Sequence, residues 1–214
     1  NMEKGFALGW EFLNAKDQEQ ISEGLQLYQE NELDDESFLK HLFPSSRNPM
    51  KNISYLPILK ITRDLGGRLL GTNAPRSLKA RIINNGLGSL EEHERPPVVE
   101  IGGANYYERF KTAMGDHVPA DKLYSYFIAQ CFTDSVMSFA VTSDEEYDLK
   151  FLVVGAFHTD YFSGVVKRIQ SQTQMDVVVV KFIDKSMFSE SEIIEMKGKH
   201  IKYGNIANYL AIVD

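Results

Sequence analysis

The sequence has one cysteine, no surplus of basic residues and no long apolar run, and each absence excludes a class of protein. Cys131 has no partner for an internal disulfide, and because it falls within an apolar helical pattern we expect a small core residue. The net charge of -7 leaves no basic surplus to neutralise phosphates, which argues against a nucleic-acid partner. No stretch approaches the roughly 18 apolar residues of a membrane span, and no signal peptide or lipidation motif is visible.

The fingerprints of the common enzyme families are missing as well. No Walker A sequence, Gly-x-Gly-x-x-Gly turn, His-Glu-x-x-His helix or Gly-x-Ser-x-Gly elbow occurs. What remains is an ordinary globular composition, 43% hydrophobic and 25% charged, in which short apolar runs alternate with helical patterns. This alternation predicts an α/β fold with a mainly parallel central sheet flanked by helices, formed by a single domain over residues 1–214.

The stretch FLVVGAFHTDYFSGVVKRI, residues 151–169, brings a histidine to a strand end. Residues 151–154 predict a strand buried on both faces, and a helical pattern resumes near Asp160. His158 falls in the turn between them, which is where open α/β folds usually place their binding sites. Position alone leaves two roles open, a residue that caps the helix and a functional group. The last strand pair is predicted over 176–183 and the final residues NYLAIVD, closing the same sheet.

Two other strand ends carry polar side chains. Glu11 lies at the C-terminal end of the strand predicted over residues 6–12. A second short strand, through Leu69 and Leu70, is predicted to break at Gly71 and to present Thr72 and Asn73. Arg76 follows in the first turn of the next helix, where its charge is unfavourable beside the positive end of the helix dipole. The arginine therefore indicates an anionic partner. The alternatives are a solvated acid at Glu11 and an exposed arginine at Arg76.

The longest helical pattern, over residues 121–141, is largely apolar and carries one polar stripe. Gln130 and Asp134 are four residues apart and therefore lie on the same face. The helix is predicted to be largely buried, and a buried carboxylate needs a partner. Asp134 is therefore either ion-paired, with an arginine such as Arg76, or directed towards a site where it orients His158.

Four pieces occur in order along the chain: the strand end GWEF, the turn LGTNAPR, the helix AQCFTDSVMSFAV and the turn GAFHTDYFSGVVKRI. Together they resemble the ChaN-like haem-binding uptake family, which is related to the TraB/Tiki and erythromycin-esterase-like proteins. The positions that match the family's motifs are Glu11, Asn73, Pro75, Arg76, Gln130, Asp134, Met137, Gly155, His158 and Gly164. The chain departs from the family at its first strand, because nothing matches the Gly-Glu-x-His motif. We therefore expect the family's first strand and helix to be missing, which exposes a sheet edge and favours pairing with another chain.

The resemblance implies a haem-binding protein of haem or iron uptake, acting as a homodimer in the bacterial envelope or a plastid. It also implies that haem is held between two subunits through a tyrosine on the iron, and tyrosinate is a suitable axial ligand for ferric iron. Tyr161 is the first candidate for that ligand by its location three residues after His158, with Tyr106 and Tyr107 next. The cofactor-binding residues predicted in this way are Glu11, Asn73, Arg76, Gln130, Asp134, His158 and Tyr161. Arg76 and His158 are assigned to the propionates or to orienting the ligand, and Gln130 and Asp134 to the surrounding shell.

Two other functions stay open. Related members of the wider superfamily are described as metalloproteases or esterases, and Glu11, Asp134 and His158 are the residues that would serve a metal-dependent hydrolase. The chain offers one well-placed histidine, fewer than a catalytic zinc site usually uses. The third hypothesis is a scaffold or interaction domain without a site.

Overall fold

The computed structural model describes residues 5–213 and divides the chain into two compact units. The first unit combines the described residues up to Pro75 with Phe139–Val153. The second combines Arg76–Ser138 with the described residues from Val154 onward. Helices and parallel strands alternate along the chain, which confirms the predicted α/β class.

The first unit is built on a three-stranded parallel sheet. β1 (Phe6–Asn14) is the central strand and pairs with β2 (Arg68–Asn73) on one side and β3 (Leu149–Val153) on the other. Pairing on both edges makes β1 the interior strand of this sheet, and its residues Ala7, Leu8 and Trp10 are buried. Parallel strands end on the same side of a sheet, so the polar ends of β1 and β2 come together.

Three helices pack on this sheet, α1 (Gln18–Gln29), α2 (Asp35–Leu42) and α3 (Leu56–Asp64). Their apolar faces join the sheet residues in one core. The fully enclosed members of this core are Leu8, Trp10, Leu13, Ile21, Leu25, Tyr28, Phe38, Leu39, Leu42, Leu56, Leu59 and Leu69.

Residues 151–154 were predicted to form a strand buried on both faces. The strand is present in part, but its predicted burial is wrong. β3 covers part of this stretch, but Leu149 and Phe151 are half exposed, at 53% and 50%. The physical reason is its place in the sheet, since β3 pairs with β1 alone and is therefore an edge strand.

The second unit contains the remaining helices. Their bounds are α4 (Arg76–Asn85), α5 (Ala104–Met114), α6 (Leu123–Thr142, of which Phe139 onward counts with the first unit), α7 (Gly164–Gln172) and α8 (Glu190–Lys197). The long helix α6 is largely buried, as its apolar circumference predicted. None of the helices in residues 5–213 combines the length and apolar character of a bilayer-spanning helix.

The helix predicted from about Asp160 begins later, at Gly164. Two short 3₁₀ turns, Ala156–His158 and Asp160–Phe162, precede it. Tyr161 and Phe162 have positive φ angles of 57° and 54°, which an α-helix does not tolerate, and this delays its start.

The last two strands form a sheet of their own rather than closing the first one. β4 (Val180–Asp184) and β5 (Tyr209–Val213) pair in parallel, with Val180 opposite Tyr209. The strand predicted over 176–183 begins only at Val180 because the ladder has no partner before Val179, whose carbonyl accepts from the N–H groups of Asn208 and Tyr209. The prediction of one continuous sheet is therefore wrong. In the described residues the strands form two separate sheets, one of three strands and one of two.

Candidate functional site

The polar stripe of α6 is buried inside the second unit, with Asp134 at its centre. This side chain is 0% exposed. Its Oδ2 accepts a hydrogen bond from the Tyr106 hydroxyl at 2.9 Å, and its Oδ1 lies 2.5 Å from Nδ1 of His158. Nη1 of Arg168 lies 3.4 Å from Oδ2 and supplies the opposite charge. Three partners therefore compensate the cost of burying this carboxylate.

His158 is held by this network and does not cap α7. It closes the 3₁₀ turn Ala156–His158 and is 7% exposed. Because a carboxylate oxygen is an acceptor, Nδ1 of His158 is the donor in this hydrogen bond and carries a proton. The amide nitrogen of Gln130 lies 3.1 Å from Nδ1 and 3.4 Å from Nε2. The structure thus places Gln130 and Asp134 on one face, as the spacing on the helix predicted, and brings His158 beside them.

The arginine that pairs with Asp134 is Arg168 rather than Arg76. Arg168 is 2% exposed, and it donates to Ser135 Oγ at 3.1 Å and to the Gly164 carbonyl at 2.6 Å. Arg76 is exposed at the first residue of α4, and its side chain makes no hydrogen bond or ion pair with the residues the structure describes. Sequence reasoning missed Arg168, although its helical spacing from Val165 puts a cation on the apolar face of α7.

Tyr106, a second candidate for the iron ligand, belongs to the same network. Its hydroxyl donates to Asp134 and is buried, and burial together with the nearby carboxylate raises the pKa of Tyr106 far above the ordinary value. A phenol that stays protonated acts as a donor. Tyr107 packs its ring edge-on against Tyr124 and Phe127.

Tyr161 stands in a strained turn directly after this network. Non-glycine residues with positive φ are uncommon, and two aromatic residues in succession, Tyr161 and Phe162, have it here. The turn is fixed from three sides. The N–H of Tyr161 donates to the carbonyl of Ile206 at 2.9 Å, and the carboxylate of Asp160 is ion-paired with Lys181 at 2.8 Å. Strain of this kind persists only where surrounding contacts impose it, and it concentrates at ligand sites.

Arg109 of α5 is the third restraint on the turn. Its Nη1 donates to the Asp160 carbonyl at 2.8 Å and to Ser163 Oγ at 2.5 Å. Its guanidinium carbon lies 4.7 Å from the ring centre of Tyr161 and 5.0 Å from that of Phe157. Phe157 also stacks on the buried Tyr106, with ring centres 5.2 Å apart. Arg109 and Phe157 therefore connect the Tyr161 turn with the network around Asp134.

Two further aromatic side chains complete a group that we call the Tyr161 cluster, formed by Arg109, Phe157, Tyr161, His200 and Tyr203. The ring of His200 stacks on Tyr203 at 4.4 Å, and their centres lie 5.9 and 5.3 Å from that of Tyr161. Nδ1 of His200 accepts from two backbone N–H groups at 3.1 Å, which fixes the ring. No sequence pattern indicated Arg109, His200 or Tyr203 as partners of Tyr161, because contacts between distant segments have no periodicity.

Glu11 and Asn73 meet in the first unit. Nδ2 of Asn73 donates to the backbone carbonyl of Glu11 at 2.7 Å, which ties the end of β2 to β1. Both residues were predicted at strand ends, and Glu11 lies within β1, which continues to Asn14. Among residues 5–213, no three His, Cys, Asp or Glu side chains are grouped as a metal ion would require.

Comparisons with known proteins identify the family and the fold. The family model described as haem-binding uptake, Tiki superfamily, ChaN matches residues 1–169. A solved structure described as cofacial haem binding to ChaN of Campylobacter jejuni superposes with a TM-score of 0.65 at 19% identity, covering 84% of this chain and 68% of that one. At this identity the superposition establishes the shared fold. No curated protein matches the sequence significantly.

Proposed function

We propose that this chain, which belongs to the haem-binding uptake family of the Tiki superfamily that includes ChaN, binds haem through Tyr161. The membership confirms the resemblance read from the sequence, and haem is the ligand of the family. The matched residues contain the network around Asp134 and the strained turn at Tyr161. The observation that carries the proposal is this turn, in which a half-buried tyrosine is held at positive φ beside a cation.

The donor chemistry of Tyr161 fits ferric iron. Its hydroxyl makes no hydrogen bond with the described residues, whereas that of Tyr106 is committed to Asp134. Burial raises the pKa of Tyr161, so the free protein carries a neutral phenol. Haem supplies a ferric ion, and a cation bound to the oxygen favours the phenolate. Arg109 adds a second positive charge above the ring.

The buried network is assigned a supporting role. His158 is too enclosed to reach a propionate directly, so we propose that Asp134 and Gln130 hold His158 and that the three fix the backbone leading into Tyr161. Arg76, Glu11 and Asn73 remain predicted contacts of the ligand. The exposed position of Arg76 suits a group that meets a propionate at the surface.

A homodimer and a role in haem or iron uptake are also part of the proposal. Their support is the resemblance to the family. Light scattering of the protein with and without hemin measures the dimer directly, and a mass of one chain in both states contradicts it.

The test of the function is a hemin titration followed by absorption in the Soret region. The wild-type protein is expected to saturate at a fixed stoichiometry, and Tyr161→Phe to weaken binding and to lose the spectrum of a tyrosinate complex. Tyr203→Phe is the matched control, because it removes a hydroxyl from the adjacent ring of the Tyr161 cluster. Absence of any spectral change in the wild-type protein contradicts haem binding. An unchanged spectrum in Tyr161→Phe contradicts the ligand assignment alone.

A further inference from the structure

Arg109 is a half-buried cation without an anionic partner in the described part of the chain. No carboxylate of residues 5–213 lies within ion-pair distance of its guanidinium, and three aromatic rings, those of Tyr106, Phe157 and Tyr161, surround it. Burial lowers the pKa of Arg109, which reflects the cost of enclosing the charge. A buried charge normally has a counterion.

The nearby acids are engaged with other cations. The carboxylate of Asp160 is held by Lys181 at 2.8 Å. It acts on Arg109 electrostatically and raises its pKa, but the atom of Asp160 that Arg109 contacts is the backbone carbonyl oxygen. Glu108, the preceding residue of α5, is paired with Lys202. Each of these two acids therefore has a lysine as its ion-pair partner, and Arg109 has no carboxylate within ion-pair distance among the described residues.

The guanidinium also has unused donors. Both of its hydrogen bonds leave from Nη1, to the Asp160 carbonyl and to Ser163 Oγ. Nε and Nη2 make no hydrogen bond with the described residues. A guanidinium presents its donors in a planar fork that matches both oxygens of a carboxylate.

We propose that Arg109 binds a propionate carboxylate of the haem, using the donors that the Tyr161 turn leaves unused. This inference rests on the proposed function, since it names the group that recognises the ionised edge of the same ligand. It differs from the assignment of the propionates to Arg76, because Arg109 already contacts the ring of Tyr161 and is fixed by two hydrogen bonds. A preorganised arginine loses little side-chain freedom on binding.

The test compares hemin with hemin dimethyl ester, which has the same iron and ring but no carboxylates. Both are titrated into the wild-type protein, Arg109→Gln, Arg109→Lys and Lys111→Gln, with thermal unfolding measured for each variant. Lys111→Gln is the matched control. Lys111 is exposed two residues further along α5, and its replacement by glutamine removes the same positive charge.

We expect Arg109→Gln to weaken hemin binding about tenfold or more beyond any loss of ester binding, as loss of a charged hydrogen bond does. A smaller loss common to both ligands is expected, because Arg109 also restrains the Tyr161 turn. Arg109→Lys is expected to recover part of the preference for hemin, and Lys111→Gln to behave as wild type. An equal loss for both ligands in Arg109→Gln shows a structural role and overturns the inference. So does an unchanged affinity for hemin. If the wild-type protein binds neither ligand, the proposed function itself fails.

Discussion

Nδ1 of His158 lies 2.5 Å from Oδ1 of Asp134, and both side chains are buried. The pair joins the long helix α6 to the 3₁₀ turn Ala156–His158, three residues before the strained Tyr161. The same carboxylate also receives the Tyr106 hydroxyl and faces Arg168. One acid on one helix therefore organises the backbone on which the proposed haem ligand stands.

Replacing Asp134 by asparagine is expected to destabilise the protein strongly. The amide keeps the shape but leaves Arg168 buried without a counterion, and breaking a buried pair costs about 3–5 kcal/mol. Urea unfolding of Asp134→Asn measures the loss. Asp121→Asn, at an exposed position, serves as control and is expected to stay within about 0.5 kcal/mol of wild type. A loss below about 1 kcal/mol in Asp134→Asn contradicts the account of the network.

Removing the charges of both Asp134 and Arg168 is expected to lower the free energy of unfolding by less than the sum of the two single losses. In Arg168→Met the carboxylate loses its cation, and in Asp134→Asn the cation loses its carboxylate, whereas the double variant leaves neither charge unpaired. We expect its loss of stability to fall short of the sum by at least about 1 kcal/mol. The double-mutant cycle measures this coupling by urea unfolding. Strict additivity means that the two charges do not interact.

Gly164 is expected to tolerate no side chain. Its φ is +56°, and a Cβ would lie 2.3 Å from the carbonyl oxygen of His158. Gly164→Ala therefore combines backbone strain with a clash, and we expect a loss of about 2 kcal/mol or more in free energy of unfolding. Gly86→Ala is the control, because Gly86 has a φ of +79° but open space around it. Its loss is expected to be about 1 kcal/mol. Equal losses at the two positions contradict the close packing at His158.

Cys131 is expected to be unreactive in the native protein. It is fully buried, and burial raises the pKa of its thiol to about 11. At pH 8 the thiolate, which is the reactive form, is therefore rarer than for a free cysteine of pKa about 8.5 by about two orders of magnitude. Labelling with iodoacetamide, followed by mass spectrometry, is expected to proceed only after denaturation. Rapid labelling of the native protein contradicts the buried environment.

The sequence predicted the elements whose signal is local. The apolar circumference and the four-residue spacing of Gln130 and Asp134 are properties of one helix, and the structure confirms both the burial of α6 and the shared face. The polar residues Glu11 and Asn73 at strand ends were also predicted from local patterns, whereas the contact between them joins segments 62 positions apart.

What the sequence did not predict depends on contacts between distant segments. Arg168 was missed as the partner of Asp134, which is 34 positions away along the chain, and Arg109, His200 and Tyr203 were missed around Tyr161. The late start of α7 follows from the positive φ at Tyr161, which contacts with Ile206 and Arg109 maintain. No pattern within residues 151–169 shows these restraints.

The central claim is that Tyr161 binds the iron of haem, and resonance Raman spectroscopy of the ferric complex tests it most directly. The wild-type complex is expected to show phenolate modes that shift when the protein is made with ring-deuterated tyrosine. Those modes should persist in Tyr203→Phe and disappear in Tyr161→Phe. A complex without phenolate modes, or one that keeps them in Tyr161→Phe, contradicts the account.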